Sequence, residues 1–426
     1  MAGIALLSLV FVIVLGVITK KNIGIISLAV ALVLGMLGGI SSNDIIAGFP
    51  TSLFLNLFGM FFFFSIAKDN GSLELLSKKI FSALSGFAVV YPLMVFLVSG
   101  LITLVDPGGM TVYVILPVIV MSVGYQMGYN PILIGVLTIF GANTTLMTPV
   151  GVFGSTANLI VDGAGYPSYT TEIVLNGIIL FTIVSALSYL GFRGWKRKQY
   201  TTGTLSLEES ASSTILPPFN GRQRLTLVML VLMILAIMFL GTHAGLTALV
   251  FSIILLITKA ADEKDAFLGV PWDTIFLCIG IGNLLSVIDN LQGLKLLASM
   301  LGSVSTEWTL APLLGITSSV MSFFSLAIAG PIPTLIPTIE SLNASVGNTF
   351  MDIELISTVI NGGFTAAISP LSMGGAMVLA AYGTLFKPSA KERTKVFNKL
   401  FFVAIMMSII AGILANTGIY SIATGM

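Results

Sequence analysis

The feature that most constrains this chain is its succession of apolar stretches long enough to cross a bilayer, several of them interrupted near the middle by Gly, Pro and polar residues. A membrane-spanning helix needs about 20 mostly apolar residues. Uninterrupted spans are predicted near 4–19, 22–40, 50–67, 171–192, 224–241, 245–258, 272–289 and 396–416. Composition agrees, with 56% hydrophobic residues, 9% charged residues and a mean hydropathy of +1.04. The 44 Gly suit helices that approach closely in lipid. The first span has no basic leader and ends at Lys20 and Lys21, so it reads as retained and no signal peptide is expected.

The same arithmetic removes whole classes of function. A net charge of +1 from 19 basic and 18 acidic residues leaves no basic stripe for nucleic acid. One His and one Cys cannot build a zinc or iron site or a disulfide framework. No HExxH, GxSxG or Walker sequence occurs, and an intramembrane protease lacks a base or second acid beside its nucleophile, so the chain is not read as an enzyme.

Four apolar regions are not simple spans. Regions 86–122 and 309–343 carry Asp106-Pro107-Gly108-Gly109 and Gly330-Pro331-Ile332-Pro333 near their middles, where a continuous helix loses hydrogen bonds. Both read as re-entrant hairpins. Regions 131–161 and 351–381 contain the polar, Gly/Pro-rich stretches Asn143 to Gly151 and Asn361 to Gly375, and read as broken helices. Irregular backbone at membrane depth survives only against protein or a water-filled cavity, so these breaks imply a polar site inside the bilayer.

Assigning loops alternately to the two sides places every Lys and Arg except Lys295 on one side when the N-terminus is outside. This holds only if each hairpin enters and leaves on the same side. The expected topology is ten spans and two hairpins, both termini outside, with 199–223 as a cytoplasmic linker. The sequence also matches itself at an offset of 221, pairing Asp44 with Asp265, Gly48 with Gly269, Pro50 with Pro271, Gly59 with Gly280 and Ser65 with Ser286. The register continues through Gly141 with Gly362, Thr144 with Thr365, Thr148 with Ser369, Pro149 with Pro370 and Gly154 with Gly375. The expected fold is therefore an all-α polytopic membrane protein. Two five-span halves, 1–198 and 224–426, form an inverted repeat, each with a hairpin and a broken helix.

Both hairpin tips place Pro early in a returning helix. A half-helix beginning mid-membrane turns N–H groups and a partial positive charge toward the cavity, which favours an anion where no Lys or Arg is present. The candidate contacts are Asp106, Pro107, Gly108, Gly109 and Thr111 in the first half and Gly330, Pro331, Pro333 and Thr334 in the second. Asn143, Thr144, Thr145 and Thr148, with Asn361, Thr365, Ser369 and Ser372, add oxygens suited to Na⁺. The tentative Na⁺ set is Asp106, Asn143, Thr144, Thr148, Thr365 and Ser369. Asp106 serves either as a helix cap or as a coupling carboxylate, and each hydroxyl taken alone equally fits a bond to its own helix.

Other features are assigned plainer roles. His243, in an outer loop, is read as an interfacial histidine without a partner, and Cys278 as an inert packing residue. The run Phe61 to Phe64 is expected to face lipid or a second subunit, and the amphipathic stretches 70–82 and 291–302 to lie along the membrane surface.

The stretches TLVDPGGMTVYVILPVI, GANTTLMTPVGVFGSTANLI, NGGFTAAISPLSMGGAMVLA and FGMFFFFSIAKDNGSLELL, together with the order of elements, resemble the ion transporter superfamily. The likeness is to its divalent anion/sodium symporters and most of all to dicarboxylate carriers of the malonate-carrier type. It implies a plasma-membrane homodimer in which a transport domain moves like an elevator against a scaffold, with a small dicarboxylate and Na⁺ at the hairpin tips. Where those symporters carry Ser-Asn-Thr tips, this chain has Asp106-Pro107-Gly108 and Gly330-Pro331-Ile332. The expected function is import of a C3 or C4 dicarboxylate such as malonate or succinate by Na⁺ symport, without an organic cofactor. The alternatives are proton coupling, the membrane subunit of a binding-protein-dependent transporter, or a channel.

Overall fold

The computed structural model describes residues 1–19, 21–76, 79, 90–105, 112–113, 116–196, 217–324 and 326–422, and their regular structure is helical throughout. The first half runs α1 (Ala2–Thr19), α2 (Ile23–Leu37), α3 (Ser42–Ala47), α4 (Thr51–Asp69), α5 (Tyr91–Val105), α6 (Leu116–Gln126), α7 (Pro131–Leu146), α8 (Val152–Gly163) and α9 (Thr170–Gly191). The second runs α10 (Gly221–Leu240), α11 (Ala244–Ile257), α12 (Glu263–Leu268), α13 (Trp272–Asn290), α14 (Gly293–Val304) and α15 (Leu310–Phe324). It continues with α16 (Pro331–Leu335), α17 (Ile339–Ser345), α18 (Asp352–Thr365), α19 (Met373–Phe386) and α20 (Ala390–Ala415). Helical segments at Ser42–Asp69, Thr170–Gly191, Trp272–Asn290, Asp352–Phe386 and Ala390–Ala415 are long and apolar enough to cross a membrane. Shorter apolar helices lie between them.

Helix boundaries recur at the sequence offset. Adding 221 to α4 (51–69) gives 272–290, the bounds of α13, and adding it to α3 (42–47) gives 263–268, the bounds of α12. Local chemistry recurs with them. Pro50 and Pro271 precede their helices at the same backbone angles, φ −77° and ψ 73°. Asn22 caps α2 by accepting from the N–H of Gly24 at 2.9 Å, and its amide donates to the Asp273 carbonyl at 2.8 Å. The equivalent position, 22 + 221, is His243, which caps α11 by accepting from the Leu246 N–H and lies 3.1 Å from Ser52 Oγ. His243 therefore has two partners, contrary to the sequence reading: a ring nitrogen can accept at a helix start as an amide oxygen does.

Close helix crossings hold the halves together. A Cβ on Gly24 would lie 1.8 Å from the Phe276 carbonyl oxygen, and one on Gly280 would lie 2.0 Å from that of Gly24, so α2 and α13 meet backbone to backbone. α4 and α11 meet in the same way, Gly59 against Gly245 and Gly245 against Leu55. Association in lipid relies on such packing rather than on expelling water from apolar surface. Around these crossings α1–α4 and α10–α13 form one group, while α5–α9 and α15–α20 form another. α14 buries Gly293, Leu294 and Ala298, and packs on α1 and on α17.

Two further expectations change in the structure. Phe61, Phe62, Phe63 and Phe64 are all buried within the chain itself, because α4 is surrounded by α8, α11, α12 and α13 and has no lipid-facing side there. The return arm of the second hairpin is not one helix but α16, a 3₁₀ turn at Ile336–Thr338, and α17. Pro337 explains the change: it offers no N–H, and its ring would crowd the carbonyl of Pro333 four residues earlier. The first hairpin tip, Asp106 to Thr111, most of the linker 199–223 and residues 77, 78 and 80–82 of the stretch 70–82 lie outside the described residues.

The crossings lead to a direct comparison. Gly280→Ala should cost roughly 1–3 kcal/mol, because the new methyl meets backbone that cannot turn aside. Gly383→Ala, where nothing lies within 4 Å, should be neutral or stabilising by up to about 1 kcal/mol. Melting temperatures of the two purified variants in one detergent measure both.

Candidate functional site between the broken helices

α7 ends at Leu146 and α8 begins at Val152, so Met147 to Gly151 form the first break. The second break follows α18 through a 3₁₀ turn at Ala366–Ile368 to Ser372, which precedes α19. Thr148-Pro149 and Ser369-Pro370 stand at equivalent places in the two breaks, and the proline in each prevents an unbroken helix. A glycine after each break faces the turned carbonyls. A Cβ on Gly154 would lie 2.1 Å from the Thr148 oxygen, and one on Gly375 would lie 2.1 Å from that of Ile368.

The two broken helices are joined just before their breaks by Asn143, which is 1% exposed. Its amide donates to the Phe364 carbonyl at 3.1 Å, and its oxygen accepts from the Tyr113 hydroxyl. Tyr113 also lies against Gly374, at the start of α19. One residue thus connects the first hairpin region, the first broken helix and the second break. The second tip packs on the same helix, where a Cβ on Gly363 would lie 2.9 Å from Ala327 and 3.5 Å from Pro331. Asn143, Thr365, Ala327 and Gly330 are buried around this junction.

Most of the predicted hydroxyls bond to nearby backbone. Thr144 donates to the Gly141 carbonyl at 2.6 Å, Thr145 to Gly100 at 2.8 Å, Thr365 to Gly362 at 2.7 Å and Thr334 to Gly330 at 2.7 Å. Ser372 donates within its own break, to the carbonyls of Ala366 and Ala367, each at 2.8 Å. Ser369 accepts from the Leu371 N–H. Buried hydroxyls in apolar surroundings take such bonds because an unpaired polar group costs about 1–3 kcal/mol. One predicted residue differs: Thr148 Oγ1 is buried with no hydrogen-bond partner. Asn361 lies within α18, beside Gly177 of α9, and its side chain hydrogen-bonds that of Tyr420.

The second tip departs from the expected anion cradle. Pro331 and Pro333 have no N–H, and the N–H groups of Ala329, Gly330, Ile332 and Thr334 bond to carbonyls within the turn. The sequence reading counted a helix start as a row of free donors. The tight turn from Leu326 to Gly330 uses those donors instead, leaving the positive end of a short dipole. Pro107, Gly108, Gly109 and Thr111 of the first tip, with Asp106, lie outside the described residues.

Sequence reasoning missed residues that complete the arrangement. Asn56 of α4 donates to Ser155 Oγ at 2.9 Å and Thr156 Oγ1 at 3.1 Å on α8, crossing between the two helix groups. Its one signal was an amide in a Phe-rich span. Ser319 donates to the Gly362 carbonyl at 2.6 Å, and Asn176 donates to Ser357 Oγ at 2.8 Å, which steadies α18 from two sides. Glu354 is the one buried carboxylate among the described residues and caps the start of α18 by accepting from the Met351 N–H. No group of three His, Cys, Asp or Glu that could hold a metal ion occurs among the described residues.

A multispan helical chain with paired breaks at a buried, uncharged polar junction has the form of a membrane transporter rather than an enzyme. Comparison with known proteins bears this out. Residues 1–145 match the family described as dicarboxylate carrier protein MatC, N-terminus. The fold is similar to the crystal structure of the YdaH transporter of Alcanivorax borkumensis, described as having an unusual topology, with a TM-score of 0.61 and 14% identity. That likeness covers 97% of this chain and 98% of the other. It is similar too to MtrF of Neisseria gonorrhoeae, described as illuminating a class of antimetabolite efflux pumps, with a TM-score of 0.53 and 11% identity over 90% of this chain and 84% of that one. No curated protein matches the sequence. The chain is thus a multi-pass membrane transporter, and the resemblance to malonate-carrier type proteins read from its sequence holds over its N-terminal third.

Two predictions follow from this geometry. Asn143→Ala should lower the melting temperature, with a loss of roughly 1–3 kcal/mol from the stranded Phe364 carbonyl and Tyr113 hydroxyl. Tyr113→Phe in that background should cost less than it does alone, and a double-mutant cycle by thermal melting measures the difference. Tyr166, in the loop after α8, accepts from the Glu340 N–H at 3.0 Å, and burial above all pushes its phenol up to about 12. The fold favours the neutral phenol, so its contribution is complete below the ordinary value of 10.0 and is lost as pH rises from there through about 12. Melting curves from pH 8 to 12 should show part of the alkaline loss in wild type removed by Tyr166→Phe.

Proposed function

We propose that this transporter imports a small dicarboxylate of the C3 or C4 class, coupled to Na⁺. The observation that carries the reading is the buried, unpartnered hydroxyl at the first break, Thr148 Oγ1. A hydroxyl oxygen is a hard donor suited to Na⁺. It would regain on binding the coordination that burial denies it. The family match over residues 1–145 supports a dicarboxylate as the substrate.

Asp106 brings a carboxylate to the first tip and is assigned to cation coupling. Asn143 organises the junction rather than binding substrate, since both ends of its amide are engaged. The division into two helix groups supports an elevator movement of α5–α9 and α15–α20 against the remainder, with the two halves inverted in the plasma membrane, both termini outside and the linker cytoplasmic. A homodimer is proposed with it. Proton coupling is the rival within this reading, with Asp106 as the carrier of the proton.

The test is uptake of labelled malonate and succinate into vesicles containing only the purified chain. An inward Na⁺ gradient should drive accumulation, and a pH gradient alone should not. Asp106→Asn and Thr148→Val should each lower Na⁺-dependent uptake about tenfold while leaving the protein in the membrane. Accumulation driven by pH alone would replace Na⁺ with protons. No uptake under either gradient would overturn the self-sufficient carrier.

A further inference from the structure

A cavity of about 630 Å³ lies far from the breaks, where the ends of four helices meet: the C-termini of α4 and α11 and the N-termini of α10 and α12. Asp69, Asn70, Arg222, Lys259, Asp262 and Glu263 give it both signs of charge. Its floor is fixed by hydrogen bonds. Asn70 donates to Thr226 Oγ1 at 2.7 Å and accepts through its carbonyl from Gln223 at 3.1 Å, while Asp262 accepts from the N–H groups of Lys264 and Asp265. Arg222 and Lys259 make no ion pair among the described residues.

The repeat shows that this cavity is not forced by the fold. Position 259 corresponds to 38 (259 − 221) and position 70 to 291 (70 + 221). In the related place the Leu291 side chain lies against Gly38, where a Cβ would be only 2.5 Å from Leu291 Cδ2. An apolar contact closes that copy, whereas Asn70 and Lys259 stand at the cavity in the other. Exposed apolar side chains adjoin it in the chain: Ile257 is 75% exposed, Leu268 68% and Phe267 47%. A polar cavity at helix ends beside exposed apolar residues has the layout of the membrane interface, headgroup above acyl chains.

We propose that this cavity binds the headgroup of a zwitterionic aminophospholipid. Arg222 and Lys259 hold the phosphate, and Asp69 and Glu263 take the primary ammonium, which donates hydrogen bonds that a trimethylated amine cannot. The acidic pair disfavours a purely anionic headgroup. The inference is independent of the transported substrate.

Native mass spectrometry of the full-length purified protein provides the test, with phosphatidylethanolamine, phosphatidylcholine and phosphatidylglycerol offered at equal concentration. Phosphatidylethanolamine should be retained about tenfold better than either of the others. Arg222→Gln with Lys259→Gln, or Asp69→Asn with Glu263→Gln, should remove that preference while the lipid-free melting temperature is unchanged. If a double variant does not fold, Lys259→Gln alone carries the comparison. Equal retention of the three lipids, a preference for phosphatidylglycerol, or an unchanged preference in the folded variants overturns the proposal. Displacement of the lipid by soluble O-phosphoethanolamine at equal concentration also overturns it, in favour of a free phosphoamine.

Discussion

In a bilayer every backbone N–H and C=O must find its partner within the protein, and most of what is distinctive in this structure follows from that. Helices satisfy the rule automatically, so the informative places are those where a helix stops inside the apolar zone. At the breaks, side chains take over the work of backbone. Thr144, Thr365 and Ser372 donate to carbonyls near or within the turns, and Asn143 serves a carbonyl that the opposite half leaves at Phe364. The second hairpin tip obeys the same rule by folding its donors into its own turn. A polar group left over after this satisfaction therefore carries more weight than a polar group as such, which is why Thr148 stands out from the other hydroxyls of the breaks.

The second constraint is contact without a strong hydrophobic drive. Lipid tails are as apolar as leucine, so helices gain by approaching closely. The four glycines at the α2–α13 and α4–α11 crossings allow backbone contact that any side chain would prevent. These crossings bind one half of the chain to the other through the group that holds α1–α4 and α10–α13. Between that group and the one carrying the breaks, Asn56 provides a directional link to Ser155 and Thr156. α4 also packs directly on α8 there.

These constraints also explain what the sequence made legible. The offset of 221 was readable because the paired glycines and prolines are required by backbone geometry, which permits few substitutes; Gly59 with Gly280 and Gly154 with Gly375 are examples. The burial of Phe61 to Phe64 was not readable, since a phenylalanine facing lipid and one facing another helix obey the same preference. His243 was misjudged because capping depends on the local turn and not on residue class. The second tip was misjudged from a count of helix starts, although Pro333 and Pro337 were visible four residues apart. The turn of 326–330 that engages the donors depends on three-dimensional closure that no local pattern encodes.

The repeat locates the junction in one further respect. Asn143 and Phe364 are counterparts in the repeat, separated by 221 positions and joined by a hydrogen bond. α4 and α13, also mutual counterparts, are in contact as well. Counterparts thus meet both within the group bearing the breaks and within the other group. A ligand beside Asn143 would meet the two halves in near-equivalent positions, so any preference for one orientation must come from side chains that differ between them. Asn143 against Phe364, Thr148 against Ser369 and Phe140 against Asn361 are those differences. At the breaks themselves they leave an unpartnered hydroxyl at Thr148, whereas that of Ser369 accepts from the Leu371 N–H.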